Sequence, residues 1–256
     1  MLVRKRFGQH FLHDPGTIER IVASVGAKPA HRLLEIGPGQ GIITTGLLAA
    51  CGRMDAIEID RDLAADLRAR YESSGLALHV GDALKFDYAA LAMRRGGPLR
   101  VVGNLPYNIS TPLLFRLLDA ADHIVDMHVM LQKEVVDRMA AQPGDEDYGR
   151  LTVMLAPRLS IEKLFEVGPG AFHPPPRVWS AVVKLTVLAQ PRFATGPHYA
   201  KLVASAFAQR RKTLRNSLRG LLTPEQIQAC GIDPGIRPER VAPAQFSALA
   251  ELLPAQ

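Results

Sequence analysis

The tetrapeptide Asn104-Leu105-Pro106-Tyr107 carries groups that can turn a poor amine into a nucleophile. The exocyclic amine of adenine attacks weakly, because its lone pair is delocalised into the ring. Two acceptors holding its two hydrogens favour a pyramidal nitrogen whose lone pair points outward. The amide oxygen of Asn104 and a backbone carbonyl at Leu105 or Pro106 can supply them. Pro106 lacks an N–H and restrains Leu105 to an extended conformation, which helps turn that carbonyl outward. Tyr107 offers a ring on which a base can stack, a contact worth roughly 1–3 kcal/mol in single-strand binding. No strong general base is required, since the amine becomes acidic only as its new bond forms. Alignment of the reacting atoms can then supply about 7–11 kcal/mol. The plainer reading of the same residues is a strand-to-loop turn built on an Asn-x-Pro signal.

A second cluster is Glu35-Ile36-Gly37-Pro38-Gly39-Gln40-Gly41. Glycines after a buried strand let the backbone turn sharply and approach a bound cofactor. A dinucleotide fingerprint wants G-x-G-x-x-G, but Ile42 stands where the third glycine belongs. The carboxylate of Glu35 before the first glycine suits an ammonium and a sulfonium better than a pyrophosphate. Glu58, near the end of the next apolar run, can accept both hydroxyls of a ribose. Asp82, in Gly81-Asp82, can accept from an adenine amine. Each carboxylate alone reads more plainly as a solvated strand end. Three at successive strand ends around a glycine turn point to S-adenosyl-L-methionine.

These residues must be held by elements, and the apolar pattern supplies them. Asp14-Pro15 reads as an N-cap with proline at the first helical position, and Ile18, Ile21, Val22 and Val25 share one helical face. Strand-like runs at 32–36, 54–59, 76–80, 99–102 and 127–131 alternate with helical patterns at 42–50, 63–71 and 112–118. Such alternation predicts a doubly wound, Rossmann-like α/β sheet whose ligand lies beyond the carboxyl ends of its strands. After Gly149 the pattern changes. Runs at 159–167 and 178–187, separated by Phe172-His173-Pro174-Pro175-Pro176, predict an antiparallel pair closing one sheet edge. Residues 189–197 read as a linker, and 199–256 as helical. The expected domains are therefore 1–190, holding the cofactor, and 191–256, small and helical.

With 256 residues, 47% of them hydrophobic, the chain can bury a substantial core. A formal charge of +6 is compatible with a polyanionic partner. Cys51 and Cys230 lie far apart without metal-ligand spacing, so neither a disulfide framework nor a zinc site is expected, and no metal is assigned. The basic start lacks an apolar run of signal-peptide length, and no later stretch is long enough to cross a bilayer. A monomeric, cytoplasmic protein with no membrane partner is the expectation.

Taken together, Gly8-Gln9-His10-Phe11-Leu12, Glu35-Ile36-Gly37-Pro38-Gly39, Glu58-Ile59-Asp60, Gly81-Asp82, Asn104 through Ser110, and Phe172 through Ser180 resemble the ribosomal RNA adenine dimethyltransferase family. The resemblance covers nearly the whole chain in the family's order. The tail from Ala206 to Leu218 is similar to the bacterial small-subunit type, the KsgA type. It implies that His10, Leu12, Gly37, Glu58, Asp82 and Asn104 contact the cofactor, although many members carry asparagine where His10 stands. It implies that Asn104 positions the target amine, with Leu105 and Pro106 beside it, while Tyr107 and Phe172 sandwich a flipped adenine. The implied reaction adds two methyls to each of two adjacent adenosines near the 3′ end of small-subunit ribosomal RNA, with the small ribosomal subunit as partner. Phe172 before three prolines can also be read as a buried anchor for a rigid turn.

On a helical wheel Phe207, Leu214, Leu218 and Leu221 share one face. Arg211, Arg215 and Arg219 follow at i, i+4 spacing beside it, with Lys212 adjacent. A solvated amphipathic face explains such a pattern, but with an RNA substrate these four cations become the expected phosphate contacts. The competing functions are a DNA adenine methyltransferase, for whose target-recognition domain there is no room, and a resistance enzyme acting on large-subunit RNA. A non-catalytic assembly factor and an NAD dehydrogenase complete the set.

Overall fold

The computed structural model describes residues 10–209 and 211–254. It clusters into two compact units: the first holds residues up to Val136 together with Ile161–Val187, the second Asp137–Ser160 together with the chain from Leu188 onward. Among the described residues no helix is long and apolar enough to cross a membrane.

The first unit is built on a seven-stranded mixed sheet. Its strands are β2 (Leu33–Ile36), β3 (Met54–Glu58), β4 (Leu76–Val80), β5 (Leu99–Asn104), β6 (Ile124–Gln132), β7 (Leu159–Val167) and β9 (Ser180–Val187), in the order β4-β3-β2-β5-β6-β9-β7. Strands β2 to β6 pair in parallel, and β9 runs antiparallel to β6 with Met130 opposite Val182. Every residue of β2 and β3 is buried. That is the mark of strands covered on both faces by crossover helices. The helices α2 (Ile42–Cys51), α3 (Arg61–Tyr71), α4 (Tyr88–Arg95) and α5 (Ser110–Asp119) make those connections, while α1 (Pro15–Val25) precedes β2, and α6 (Lys133–Ala140) and α7 (Arg150–Leu155) come after β6. Asp14 caps α1 as its sequence predicts, accepting from the Thr17 amide at 2.8 Å, with Pro15 following. The strand order reverses between β2 and β5. Their carboxyl ends therefore form the topological switch point where such sheets bind ligands.

A short two-stranded sheet lies apart from the main one. Its strand β1 (Phe11–Leu12) pairs antiparallel with β8 (Phe172–His173), setting Leu12 opposite Phe172. This pairing fastens the start of the described chain to the proline turn, in which the His173–Pro174 peptide is cis.

The second unit corrects two expectations. A single cut near residue 190 does not describe the clustering, because Asp137–Ser160 belongs with the C-terminal helices. The reason is long-range: the Tyr148 hydroxyl donates to the Val241 carbonyl at 2.7 Å, and the Tyr199 hydroxyl to the Val153 carbonyl at 2.9 Å. Ala141, Tyr148 and Val153 then share one apolar core with Leu202, Leu214, Leu218 and Phe246. The helical wheel fails as well. Helix α8 (Tyr199–Ala206) ends at Phe207, and α9 (Leu214–Ser217) begins only after Thr213, whose φ of −70° and ψ of 160° are extended. The Phe207 ring lies 6.2 Å from that of Tyr148 and 5.5 Å from that of Phe246, so the chain leaves the helix to fill this core.

Candidate active site

Strand β5 delivers Asn104 to the switch point, and three contacts fix the turn beyond it. The Leu105 amide donates to the Met130 carbonyl at 3.1 Å, tying the turn to β6, and the Leu105 side chain is buried. The Pro106 carbonyl accepts from the Ile109 amide at 3.2 Å, closing the turn into α5. The Tyr107 hydroxyl shares a 2.6 Å hydrogen bond with Ser180 Oγ at the start of β9. Burial holds that phenol above its ordinary pKa, so it remains neutral. Asn104 itself donates through Nδ2 to the His10 carbonyl at 3.2 Å. No described residue donates to its Oδ1. The His10 ring lies 5.6 Å from the Tyr107 ring and tilted 30° to it. Its Nδ1 lies 2.7 Å from the Pro174 carbonyl, an atom that only accepts, so Nδ1 carries the proton.

The glycine turn after β2 stands next to this group. Gly37 and Gly39 have φ of 66° and 56°, the left-handed region in which a side chain is strained. Glu58, at the end of β3, braces the turn: Oε2 accepts from the Gly39 amide at 3.1 Å and Oε1 from the Asp60 amide at 2.9 Å. Burial raises its pKa, partly offset by those amides. Asp82 follows β4 and accepts from the Leu84 amide at 2.9 Å. Together these residues line a cleft whose empty volume, open mouth included, is about 990 Å³. His10, Leu12, Gly37, Glu58, Asp82, Asn104, Leu105, Pro106 and Tyr107 all border it, so most of the sequence-predicted site converges.

Glu35 borders the same cleft, and it is nearly inaccessible to solvent. Its Oε2 accepts from Thr44 Oγ1 at 2.6 Å, yet burial pushes its pKa up to about 7, with Glu58 adding to the rise. A carboxyl whose pKa is raised on folding stabilises the fold below its unfolded pKa, and that contribution is lost as pH rises through the folded value. Glu35→Gln should therefore gain stability over the unsubstituted protein as pH moves from about 5 to about 8, by about 1–3 kcal/mol. Denaturant unfolding of both proteins at the two pH values measures it. An equal difference at both would remove Glu35 as a titrating group.

A comparison with known protein families matches residues 1–254 to Ribosomal RNA adenine dimethylase. The chain belongs to the ribosomal RNA adenine dimethylase family. A curated relative from Pseudomonas aeruginosa named Ribosomal RNA small subunit methyltransferase A is 54% identical, over 98% of this chain and 94% of that one. Among solved structures, a dimethyladenosine transferase from Plasmodium falciparum superposes with a TM-score of 0.77 at 25% identity, covering 94% of this chain and 96% of that one. The 23S rRNA methyltransferase ErmE reaches 0.73 at 28% identity, covering 95% and 99%. These neighbours share the Rossmann-like fold of S-adenosylmethionine-dependent methyltransferases.

Within this dimethylase-family chain two expectations differ from where the structure places the residues. Phe172 does not face the cleft: only 2% of it is exposed, and it packs in the core with Leu12, Val167 and Val182. The β1–β8 pairing turns it inward, so Tyr107 meets the His10 ring and not that of Phe172. Arg211, Lys212, Arg215 and Arg219 are all exposed, but not along one helix. Arg215 and Arg219 are a turn apart, as the Leu218 amide bonding to the Leu214 carbonyl at 2.9 Å shows, while Arg211 precedes the break at Thr213. Gly8, Gln9 and Arg210 of the family motifs lie outside the described residues. The sequence shows Gly103 only as part of a turn, yet a Cβ there would stand 2.6 Å from the Ile36 carbonyl. That glycine lets β5 approach the cofactor turn closely; the sequence pattern ends the strand at residue 102 and places Gly103 in the turn beyond it, whereas β5 runs on to Asn104.

Proposed function

We propose that this chain transfers methyl groups from S-adenosyl-L-methionine to N6 of adenine in small-subunit ribosomal RNA, two on each of two adjacent adenosines near the 3′ end. The observation carrying this reading is the bond from Asn104 Nδ2 to the His10 carbonyl, which sets the amide so that Oδ1 is its acceptor toward the cleft. The Pro106 carbonyl already accepts from Ile109, which favours the Leu105 carbonyl as the second acceptor. Held by both, the target amine presents its lone pair, and Tyr107, its hydroxyl anchored by Ser180, offers a face to the base. The amine's proton leaves to solvent once nitrogen carries its new bond.

The cleft suits the cofactor. Ile36, Ile57, Ile59 and Ala83 give apolar faces, while Glu35, Glu58 and Asp82 give carboxylates, and no lysine or arginine appears among its described lining residues. Such a wall favours a cation and disfavours a pyrophosphate. Glu58 would hold the ribose, Asp82 the adenine amine, and Gly37 and His10 the remaining edge. When bound, S-adenosyl-L-methionine supplies the electrophilic methyl.

Identity of 54% to a small-subunit enzyme, against 28% to a large-subunit one, supports the small subunit as substrate and the cytoplasm as the place of work. The deciding experiment offers labelled cofactor with small subunits lacking dimethyladenosine, alongside naked RNA, large subunits and duplex DNA. N6,N6-dimethyladenosine in the small subunit alone is expected, and label in large-subunit RNA would reassign the enzyme to the resistance type. The four exposed cations would meet phosphates. Charge reversal at both Arg215 and Arg219 should weaken subunit binding and flatten its dependence on log salt by roughly 0.7–0.9 per lost contact. An unchanged slope would take them off the RNA.

A further inference from the structure

Outside the cleft lies a group of residues that the chemistry above does not use. Arg177, Val178 and Trp179 are consecutive and exposed, between the proline turn and β9. Trp179 is the only tryptophan of the chain, and 53% of it is open to solvent. A lone exposed apolar side chain needs no explanation. Here, though, the backbone of the residue is tied in beside the carboxyl end of β6, the end of the sheet that carries the site. Its carbonyl accepts from the Lys133 amide at 2.9 Å, and the next residue, Ser180, sits opposite Gln132 across β6 and β9. The Ser180 hydroxyl is the one that anchors Tyr107. The indole is also supported from one side. A Cβ on Gly168 would lie 3.6–3.8 Å from Cη2, Cζ3 and Cζ2, so the six-membered ring rests over bare backbone. A flat aromatic surface propped on one side and wet on the other, one residue from the group that anchors the stacking tyrosine, is built to receive another flat ring.

We infer that Trp179 is the stacking platform for a nucleobase flanking the target adenosine, with the Arg177 cation serving the adjoining phosphate. This rests on the reading of the chain as an RNA adenine methyltransferase. Drawing a base out of its stack strips its neighbour of a partner, and a protein ring beside it replaces that lost contact. An indole is well suited, since stacking tolerates any base and leaves the selection of adenine to Asn104. The consequence is a residue that contributes to RNA affinity without touching the reacting atoms.

The test is a kinetic series on small subunits lacking dimethyladenosine, with Trp179→Ala, Trp179→Phe and the unsubstituted protein. Trp179→Ala should raise KM for the subunit about 5- to 100-fold, with kcat, cofactor Kd and melting temperature unchanged. Trp179→Phe should recover most of the affinity, and the salt slope of binding should stay the same, because a stacked ring neutralises no phosphate. As the only tryptophan, Trp179 gives a second readout. Its emission should be quenched when a protein-free 3′ fragment of small-subunit RNA is bound. Unchanged KM in Trp179→Ala, with full methylation, overturns the inference and leaves the catalytic reading standing. So does a fall in kcat at constant KM, which would mark the indole as a prop for Ser180 and Tyr107. Absence of methyl transfer by the unsubstituted protein overturns both readings.

Discussion

Asn104→Ala is expected to cut kcat on small subunits by about 100- to 1,000-fold while cofactor affinity stays near normal. The size reflects the cost of removing one preorganised polar group where charge develops in a transition state. The loss falls on kcat because a neutral amine in the ground state asks little of its acceptors. Only as nitrogen turns pyramidal and gains positive charge does the Oδ1 contact strengthen, and interactions of that kind set the rate of the chemical step. Asn104→Asp refines the test. It keeps an acceptor toward the amine but sets a carboxylate against the His10 carbonyl, which now receives an N–H at 3.2 Å. Intermediate activity is expected, restored in part by low pH. Single-turnover transfer with saturating cofactor separates the step from binding, and undiminished transfer by Asn104→Ala would end the amine-positioning role.

What could be read in the chain was what lies close together along it. The cap at Asp14, the glycine turn after β2 and the polar ends of β3, β4 and β5 are set by residues within a few positions of each other. The switch point emerged from their alternation. What escaped were pairings across long separations. The orientation of the Asn104 amide depends on His10, 94 residues earlier. Phe172 is turned into the core by its pairing with Leu12, so its aromatic character was visible and its direction was not. Residues 137–160 join the helical unit through bonds such as Tyr148 to Val241, 93 positions apart. The wheel over 207–221 assumed an unbroken helix, and no local breaker of the proline kind stands there; the core around Phe207 and Phe246 decides the matter. Periodicity reports on one element at a time, and tertiary demand can override it.

Glu58→Ala should produce the other large effect, this time on cofactor binding. The carboxylate is 4% exposed and accepts from the amides of Gly39 and Asp60, so it both shapes the glycine turn and presents its remaining lone pairs to the cleft. Hydrogen bonds to a charged group contribute about 1.5–3 kcal/mol each. Losing two ribose contacts should therefore weaken S-adenosyl-L-methionine about 100-fold or more, with kcat at saturation little changed. Glu58→Gln separates the two duties: its amide can still accept from one backbone N–H but cannot serve both amides and a diol. Acidity gives an independent check. Because burial raises the Glu58 pKa, its ionised form, the one able to accept throughout, is depleted on mild acidification. Cofactor affinity should fall as acid protonates Glu58, and the fall should lessen in Glu58→Gln, leaving the part that Glu35 contributes to the same cleft. Calorimetric titration of the full chain measures both. If Glu58→Ala bound cofactor normally, the two amide bonds would be the whole of its role, and the cleft would have to find its ribose acceptor elsewhere.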